Sequence, residues 1–486
     1  MDKYEAIIIG SGQAGNPLAF KLAAAGWKTA LIEKEWVGGC CINVGCTPTK
    51  TLIASGRVAY LAKRSADFGV HTTGWSIDIE KVIRRKNEHV LTARNGSAKK
   101  LSETKNIDLI YGDAAFTGPK TITVKKKDGS SADLTAETIF LNAGCRPSIP
   151  SIPGLDSIDY LTSSTLLDLL VIPSHLAIIG AGYVALEFGQ LYRRLGSDVT
   201  IIEHGQRLLP KEDEDIAAEI RKILEQDGIR ILTNTNTEKV GPGKTGAVID
   251  VSIDINDNSR NNNSQSAKNT PDAKNTPDAK ASREQIAASH VLVATGRVPN
   301  TEGLNAAAAG IALDKRGFVI VNDRLETNVP GIYALGDVKG GPQFTHISYN
   351  DQVILYKNLF EKANLSIAGR VPIYCMFTDP ELGRVGLTEA QAREKGIKIK
   401  VAIMPAARIA RAWENDETRG LLKAIVDAEK GTILGAAMLS SAGGELMTIL
   451  QMAMMGNITC DILRDNVFAH PTFAESLNNL FADLDK

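Results

Sequence analysis

The chain has 486 residues, 55 Lys and Arg against 56 Asp and Glu, and a 43% share of hydrophobic residues. That length suggests about three domains of roughly 150 residues each; the apolar share is ample for a large core, and a net charge of −1 argues against nucleic acid as a primary partner. An N-terminus without a basic segment ahead of a long apolar one predicts no signal peptide and a cytoplasmic protein, and the lack of any run of about 18 apolar residues argues against a membrane partner.

The first predicted element is a buried parallel strand at residues 6–10, a short β-branched run. Gly10, Gly12 and Gly15 then spell G-x-G-x-x-G, a helix follows over 16–25 and stops at Gly26, and a strand over 28–32 ends in Glu33. The physical demand behind this motif is specific. The first Gly permits a tight turn, the second lets backbone approach a pyrophosphate, and the third lets helix and strand pack closely. The helix N-terminus faces the anion with free N–H groups and its positive dipole end, and the acid accepts hydrogen bonds from ribose hydroxyls.

Three of the six cysteines crowd into residues 40–46, which in a cytosolic protein suggests redox or metal chemistry. Cys41 and Cys46 are separated by four residues, and a helix is expected to begin near Pro48. A thiol at a helix N-terminus has its thiolate stabilised by the dipole, so its pKa should fall. Such a pair can cycle between disulfide and dithiol and pass two electrons onward. The alternatives are a buried structural pair or half of a zinc site, for which no second CxxC and no nearby His is present. Cys40 reads as a packing residue, with a metal-gripping vicinal thiol as the minor alternative. Cys145, Cys375 and Cys460 read as buried structural thiols.

The first pattern then returns. A strand at 176–179 leads into Gly180, Gly182 and Ala185, a helix buries Phe188, Leu191, Tyr192 and Leu195 and stops at Gly196, and a strand at 198–202 ends in Glu203. Glu33 follows Gly10 by 23 residues, and Glu203 follows Gly180 by 23. Ordinary βα turns also need glycine, but two matched copies, each with strand, helix and acid, point to two dinucleotide sites. Residues 255–285, rich in Asn, Ser, Asp and Lys with a tandem KNTPDA, are expected to form a flexible excursion within the second nucleotide domain. A strand over 331–338 should end at Gly336 and Asp337. Beyond about residue 370 the pattern predicts an α+β domain. Its marks are a capping box at Thr388 and Gln391, strands at 420–427 and 432–440, and a helix at 444–455. The methionines of that helix suit a core or a subunit interface. Near the C-terminus His470 could activate a thiol, with Glu475 orienting it; a structural histidine is the plainer reading.

The ordered set GSGQAG, GGCCINVGCTPTK, NAGCRP, GAGYVALEF, ATGRVPN, YALGDV and HPTFAE resembles the class I pyridine nucleotide–disulfide oxidoreductases, the flavoproteins that include dihydrolipoamide dehydrogenase, glutathione reductase and mercuric reductase. The resemblance spans nearly the whole chain. It implies an α/β fold of two Rossmann-like dinucleotide-binding domains plus a C-terminal α+β dimerisation domain. The expected divisions are 1–155 (FAD-binding, first part), 156–290 (NAD(P)-binding), 291–369 (return to the FAD-binding region) and 370–486 (dimerisation). FAD would lie against Gly10, Gly12, Gly15, Glu33, Lys50, Gly144 and Asp337, and NAD(P)H against Gly180, Gly182, Tyr183, Ala185, Glu203 and Gly296. Cys46 would be the thiolate against the flavin and Cys41 the interchange thiol. Lys50 would pair with Glu187 near the flavin, and Tyr183 would gate the nicotinamide pocket. His470 and Glu475 would reach the partner's active site, which makes a homodimer obligatory.

Within the family, Glu203 favours the ribose 2′-OH of NADH over the phosphate of NADPH, while the nearby Arg207 could accommodate that phosphate. Residues 340–351 (GGPQFTHISYND) are closer to the mercuric-reductase-like group, which includes the flavoprotein of bacterial reactive-chlorine resistance. Yet the vicinal C-terminal cysteines usual in mercuric reductases are missing, and His470 stands where they tend to have Tyr. The favoured expectation is an NAD(P)H-dependent flavoenzyme reducing a metal ion or small disulfide. A dihydrolipoamide dehydrogenase is the second, and a metal-sequestering thiol protein on a flavoprotein fold the third. No resident metal is expected.

Overall fold

The computed structural model describes residues 1–254 and 282–485. The run of Ala6 to Ile9 is buried on both faces of the strand Asp2–Ile9, as a central parallel strand requires. It pairs in parallel with Thr29–Glu33 on one side and Ser131–Leu141 on the other. Ile107–Tyr111 extends the sheet beyond Thr29–Glu33, and Ile332–Ala334 pairs in parallel with the end of Ser131–Leu141. Thr121–Lys125 and Asp113–Gly118 continue it as antiparallel strands.

A second sheet repeats this plan. Its strands Arg230–Leu232, Asp198–Ile202, His175–Ile179, His290–Val293 and Leu161–Thr162 are parallel throughout. A three-stranded antiparallel sheet of Thr235–Gly243, Gly246–Ile253 and Ser282–Ala288 accompanies it. Two expectations are corrected here. Residues 282–285 are not part of a flexible excursion: they pair with Asp250–Ile253. The strand His290–Val293 completes the second sheet, so that sheet runs past the division at 290. The rest of the excursion, 255–281, lies outside the described residues.

The sheet of the C-terminal region is antiparallel, in the order Ile373–Met376, Glu381–Gly386, Ile433–Ser440, Leu421–Asp427, Ile399–Pro405. The helix Gly443–Met455 packs Leu446, Met447 and Leu450 into its core and leaves Met452 and Met455 exposed. The capping box forms as expected, with Thr388 accepting from Gln391 N–H. Among the described residues no helix is long and apolar enough to cross a membrane.

Candidate active site

The parallel part of each of these two sheets offers a crevice where strand order reverses, between Asp2–Ile9 and Ser131–Leu141 in the first and between His175–Ile179 and His290–Val293 in the second. Ligands of such sheets bind at the carboxyl ends of those strands. There Gly10 has a φ of +101° and a Cβ on it would lie 2.4 Å from Asn142 O; Gly180 has +102°, and its Cβ would lie 2.6 Å from Ala294 O. The helices that follow, Gly15–Ala24 and Tyr183–Leu195, carry no side-chain cap and no acid in the first turn, so no side chain neutralises their positive ends. The two acids are held alike. Glu33 accepts from Ser11 N–H (3.0 Å) and Glu35 N–H (2.9 Å), and Glu203 from Ala181 N–H (2.8 Å) and Gly205 N–H (2.7 Å). In the first unit a Cβ on Gly39 would come 2.7 Å from Gly12 Cα. A backbone-lined cleft, an uncapped helix end and an anchored acid fit an adenine dinucleotide in each unit.

The cysteines sit beside the first cleft. Cys41 lies on the short helix Gly39–Asn43, and Cys46 opens the 18-residue helix Cys46–Lys63, two residues earlier than the expected start. All six cysteines are thiols. The Cys41 thiol donates to Cys46, and this bond, with Thr345 Oγ1 at 3.4 Å and the Lys50 ammonium, outweighs burial and lowers the Cys46 pKa to about 6. The same bond, reinforced by burial, pushes the Cys41 thiol far up. One sulfur therefore holds the charge and the other the proton, an asymmetry suited to thiol–disulfide exchange.

Lys50, one helical turn beyond Cys46, pairs with the buried Glu187 at 2.7 Å; the other Glu187 oxygen accepts from Phe377 N–H at 2.8 Å. Tyr183 opens the second-unit helix and packs on Phe344, ring centroids 5.7 Å apart, and burial pushes its hydroxyl up to about 12. Phe344 in turn stacks on Tyr374 at 5.4 Å. Asp337 lies in the single turn Gly336–Lys339, its carboxyl raised by burial against the pull of Arg297 and Lys339. Gly144 O accepts from Asn300 N–H and Gly296 O from Ser148 N–H, at the paired crossings Cys145–Pro147 and Arg297–Pro299.

His470 and Glu475 find each other, Nδ1 to Oε2 at 2.9 Å, but the His470 side chain is 67% exposed. It makes no hydrogen bond to either cysteine within the described residues of one chain. Cys145 and Cys460 are buried as expected, whereas Cys375 is only half-buried. The Cys40 sulfur lies 3.5 Å from Arg297 Nη2. Arg297 and Thr345 were not singled out from the sequence. Arg297 stands within the quoted ATGRVPN motif; Thr345, 299 residues from Cys46, carries no local signal. Among the described residues no cluster of three or more His, Cys, Asp or Glu is placed to hold a metal ion.

Two clefts that fit dinucleotides, with a polarised dithiol beside the first, are the arrangement of a pyridine nucleotide-linked dithiol oxidoreductase. The chain belongs to the pyridine nucleotide-disulphide oxidoreductase family, which it matches over residues 4–351, with that family's dimerisation domain at 372–481. It is 39% identical over 486 residues to the probable pyridine nucleotide-disulfide oxidoreductase RclA of Escherichia coli K12, covering 99% of each chain. It is 35% identical over 485 residues to a mercuric reductase of Lysinibacillus sphaericus, covering 100% of this chain and 83% of the relative. The solved Cu(II) complex of the HOCl-induced flavoprotein disulfide reductase RclA from Escherichia coli matches with a TM-score of 0.85 at 37% identity, covering 99% of both chains. The protein is thus an oxidoreductase of the RclA and mercuric reductase type, and its family implies FAD and NAD(P)H.

Proposed function

We propose that this protein moves two electrons from NADH through FAD to the Cys41–Cys46 pair and on to a metal ion such as Cu(II) or Hg(II), or to a small disulfide. The observation that carries this reading is the placement of Cys46 at the start of a long helix, with the Thr345 hydroxyl at 3.4 Å and Cys41 beside it. Bound FAD would supply the two-electron chemistry that links the nicotinamide to the disulfide. The chain's residues do the rest. Lys50 and the Thr345 hydroxyl stabilise the Cys46 thiolate, and Cys41, the protonated partner, is the sulfur that meets the acceptor. Reoxidation to the disulfide releases two electrons, enough for two Cu(II) to Cu(I), one Hg(II) to Hg(0), or one disulfide to two thiols.

Two observations support the finer points. Arg207 donates to Pro210 O at 3.0 Å and so is engaged locally, which leaves the Glu203 carboxylate to select NADH over NADPH. The exposed Met452, Met455, Ile462 and Val467 lie in the C-terminal domain with His470. A homodimer that covers them brings His470, oriented by Glu475, to the partner's thiols as their base. A steady-state panel of Cu(II), Hg(II), lipoamide and oxidised glutathione, each with NADH and with NADPH, tests the proposal. The expected result is the highest kcat/KM with a metal ion and NADH. Lipoamide as the best acceptor would instead make the protein a dihydrolipoamide dehydrogenase.

A further inference from the structure

The helices Cys46–Lys63 and Tyr183–Leu195 meet along an apolar seam that includes Leu52, Leu186 and Leu191. The approach is close enough that a Cβ on Gly56 would come 2.8 Å from Leu191 Cδ1. Two polar rungs cross this seam. The first is Lys50 with Glu187. Seven residues on, two helical turns, the helices present Arg57 and Arg194, two like charges.

Between those arginines stands Asp379 from the C-terminal domain, its side chain 15% exposed, paired with Arg57 and, at 2.7 Å, with Arg194. Burial would raise this carboxyl, but the Arg194 and Arg57 guanidiniums outweigh it and hold it below the usual carboxylate range. The same short segment touches both rungs. Phe377 N–H donates to Glu187 at 2.8 Å, and the Lys50 ammonium lies over the Phe377 ring. Asp379 N–H donates to Gln190 Oε1 at 2.7 Å, and Gln190 Nε2 returns a bond to Asp379 O at 2.9 Å. Residues 377–379 therefore lie like a ruler across both helices.

We propose that Asp379 is a positioning residue for the redox pair: by bridging Arg57 and Arg194 it fixes the register of the two helices and so holds Lys50 on Glu187, one turn from Cys46. This rests on the reading of Cys46 as the working thiolate. Arg57 also pairs with Glu417 at 2.6 Å; without the Asp379 charge Arg194 loses its carboxylate and the two guanidiniums lose the group that bridges them, and the cost of this in a largely buried seam falls on the neighbouring rung. The groups that act on Cys46 include Cys41, Thr345, Lys50 and Glu187, with Cys40 and Tyr183 also near it, and Lys50 is the cation among them, so a displaced Lys50 weakens the stabilisation of the thiolate.

The test is the pH dependence of iodoacetamide labelling of Cys46 in the reduced holoenzyme, read on the Cys46 peptide by mass spectrometry. Asp379→Asn should raise the labelling midpoint by about half a unit, a roughly threefold loss of thiolate below it. Adding Arg194→Gln should restore the wild-type midpoint by rebalancing charge. In a Lys50→Met background Asp379→Asn should add no further shift, because the effect passes through Lys50. An unmoved midpoint in Asp379→Asn, or the same shift with and without Lys50, overturns the proposal. Should the single variant not accumulate, the charge-balanced pair decides: a wild-type midpoint supports the proposal and a displaced one overturns it. A wild-type midpoint near that of an ordinary thiol would instead refute the Cys46 assignment itself.

Discussion

At Gly10 and Gly180 the backbone takes nearly the same φ, and at both a Cβ would collide with the carbonyl after a neighbouring strand. The following glycines diverge. Gly12 is closed in, with Asn142 Nδ2 3.0 Å from its would-be Cβ and Gly39 pressed against its Cα, while a Cβ on Gly182 would meet nothing within 4 Å. The third positions diverge as well. A Cβ on Gly15 would stand 2.1 Å from Gly10 O, whereas the second unit accommodates the real Cβ of the fully buried Ala185. One local grammar thus serves two purposes. An enclosed turn suits a cofactor that stays, and an open turn suits one that must leave after every hydride transfer.

The strongest way to break this comparison is to exchange the third residues. Gly15→Ala should destabilise the protein by about 1–3 kcal/mol through overpacking and yield largely flavin-free protein, read by thermal denaturation and visible absorbance. A second test exploits what only the first unit carries, the cysteine helix. The Cys46 pKa falls from 9.0 to about 6, so the anion is the favoured form. In the reduced protein its alkylation rate should be flat above about pH 7 and fall tenfold per unit below about pH 5. A midpoint near 9 would remove the account in which the Cys41 thiol, Thr345 and Lys50 stabilise the Cys46 anion. Third, Glu203→Gln should raise the NADPH-to-NADH ratio of kcat/KM about tenfold, some 1.4 kcal/mol, and Glu33→Gln should leave that ratio alone. The smallest effect should come from Ala185→Gly, at most about 1 kcal/mol in stability; a cost equal to that of Gly15→Ala would mean that the two turns are not distinguished by packing.

The features legible in the sequence are those whose physics is local. Two glycine turns with acids 23 residues on, a thiol at a helix start and the Thr388 capping box each depend on residues close in the chain. The Lys50–Glu187 pair, 137 residues apart, was reached through family resemblance, and the geometry places the two in contact. Thr345, Arg297 and Asp379 were not singled out because their roles arise only when three sheets pack together. Nothing about Asp379 in sequence shows that it lies between arginines 322 and 185 residues away. The strand at 282–288 was hidden by composition: SREQIAA alternates polar and apolar residues weakly, and its pairing with Gly246–Ile253 decides it.

The central claim, that Cys46 lies against the flavin as a thiolate, is tested most directly by anaerobic titration of the flavin-loaded protein with NADH, followed by absorbance. The account predicts a long-wavelength band in the wild type after two electrons and none in Cys46→Ser. A wild type without that band, or a Cys46→Ser variant that keeps it, would contradict the account.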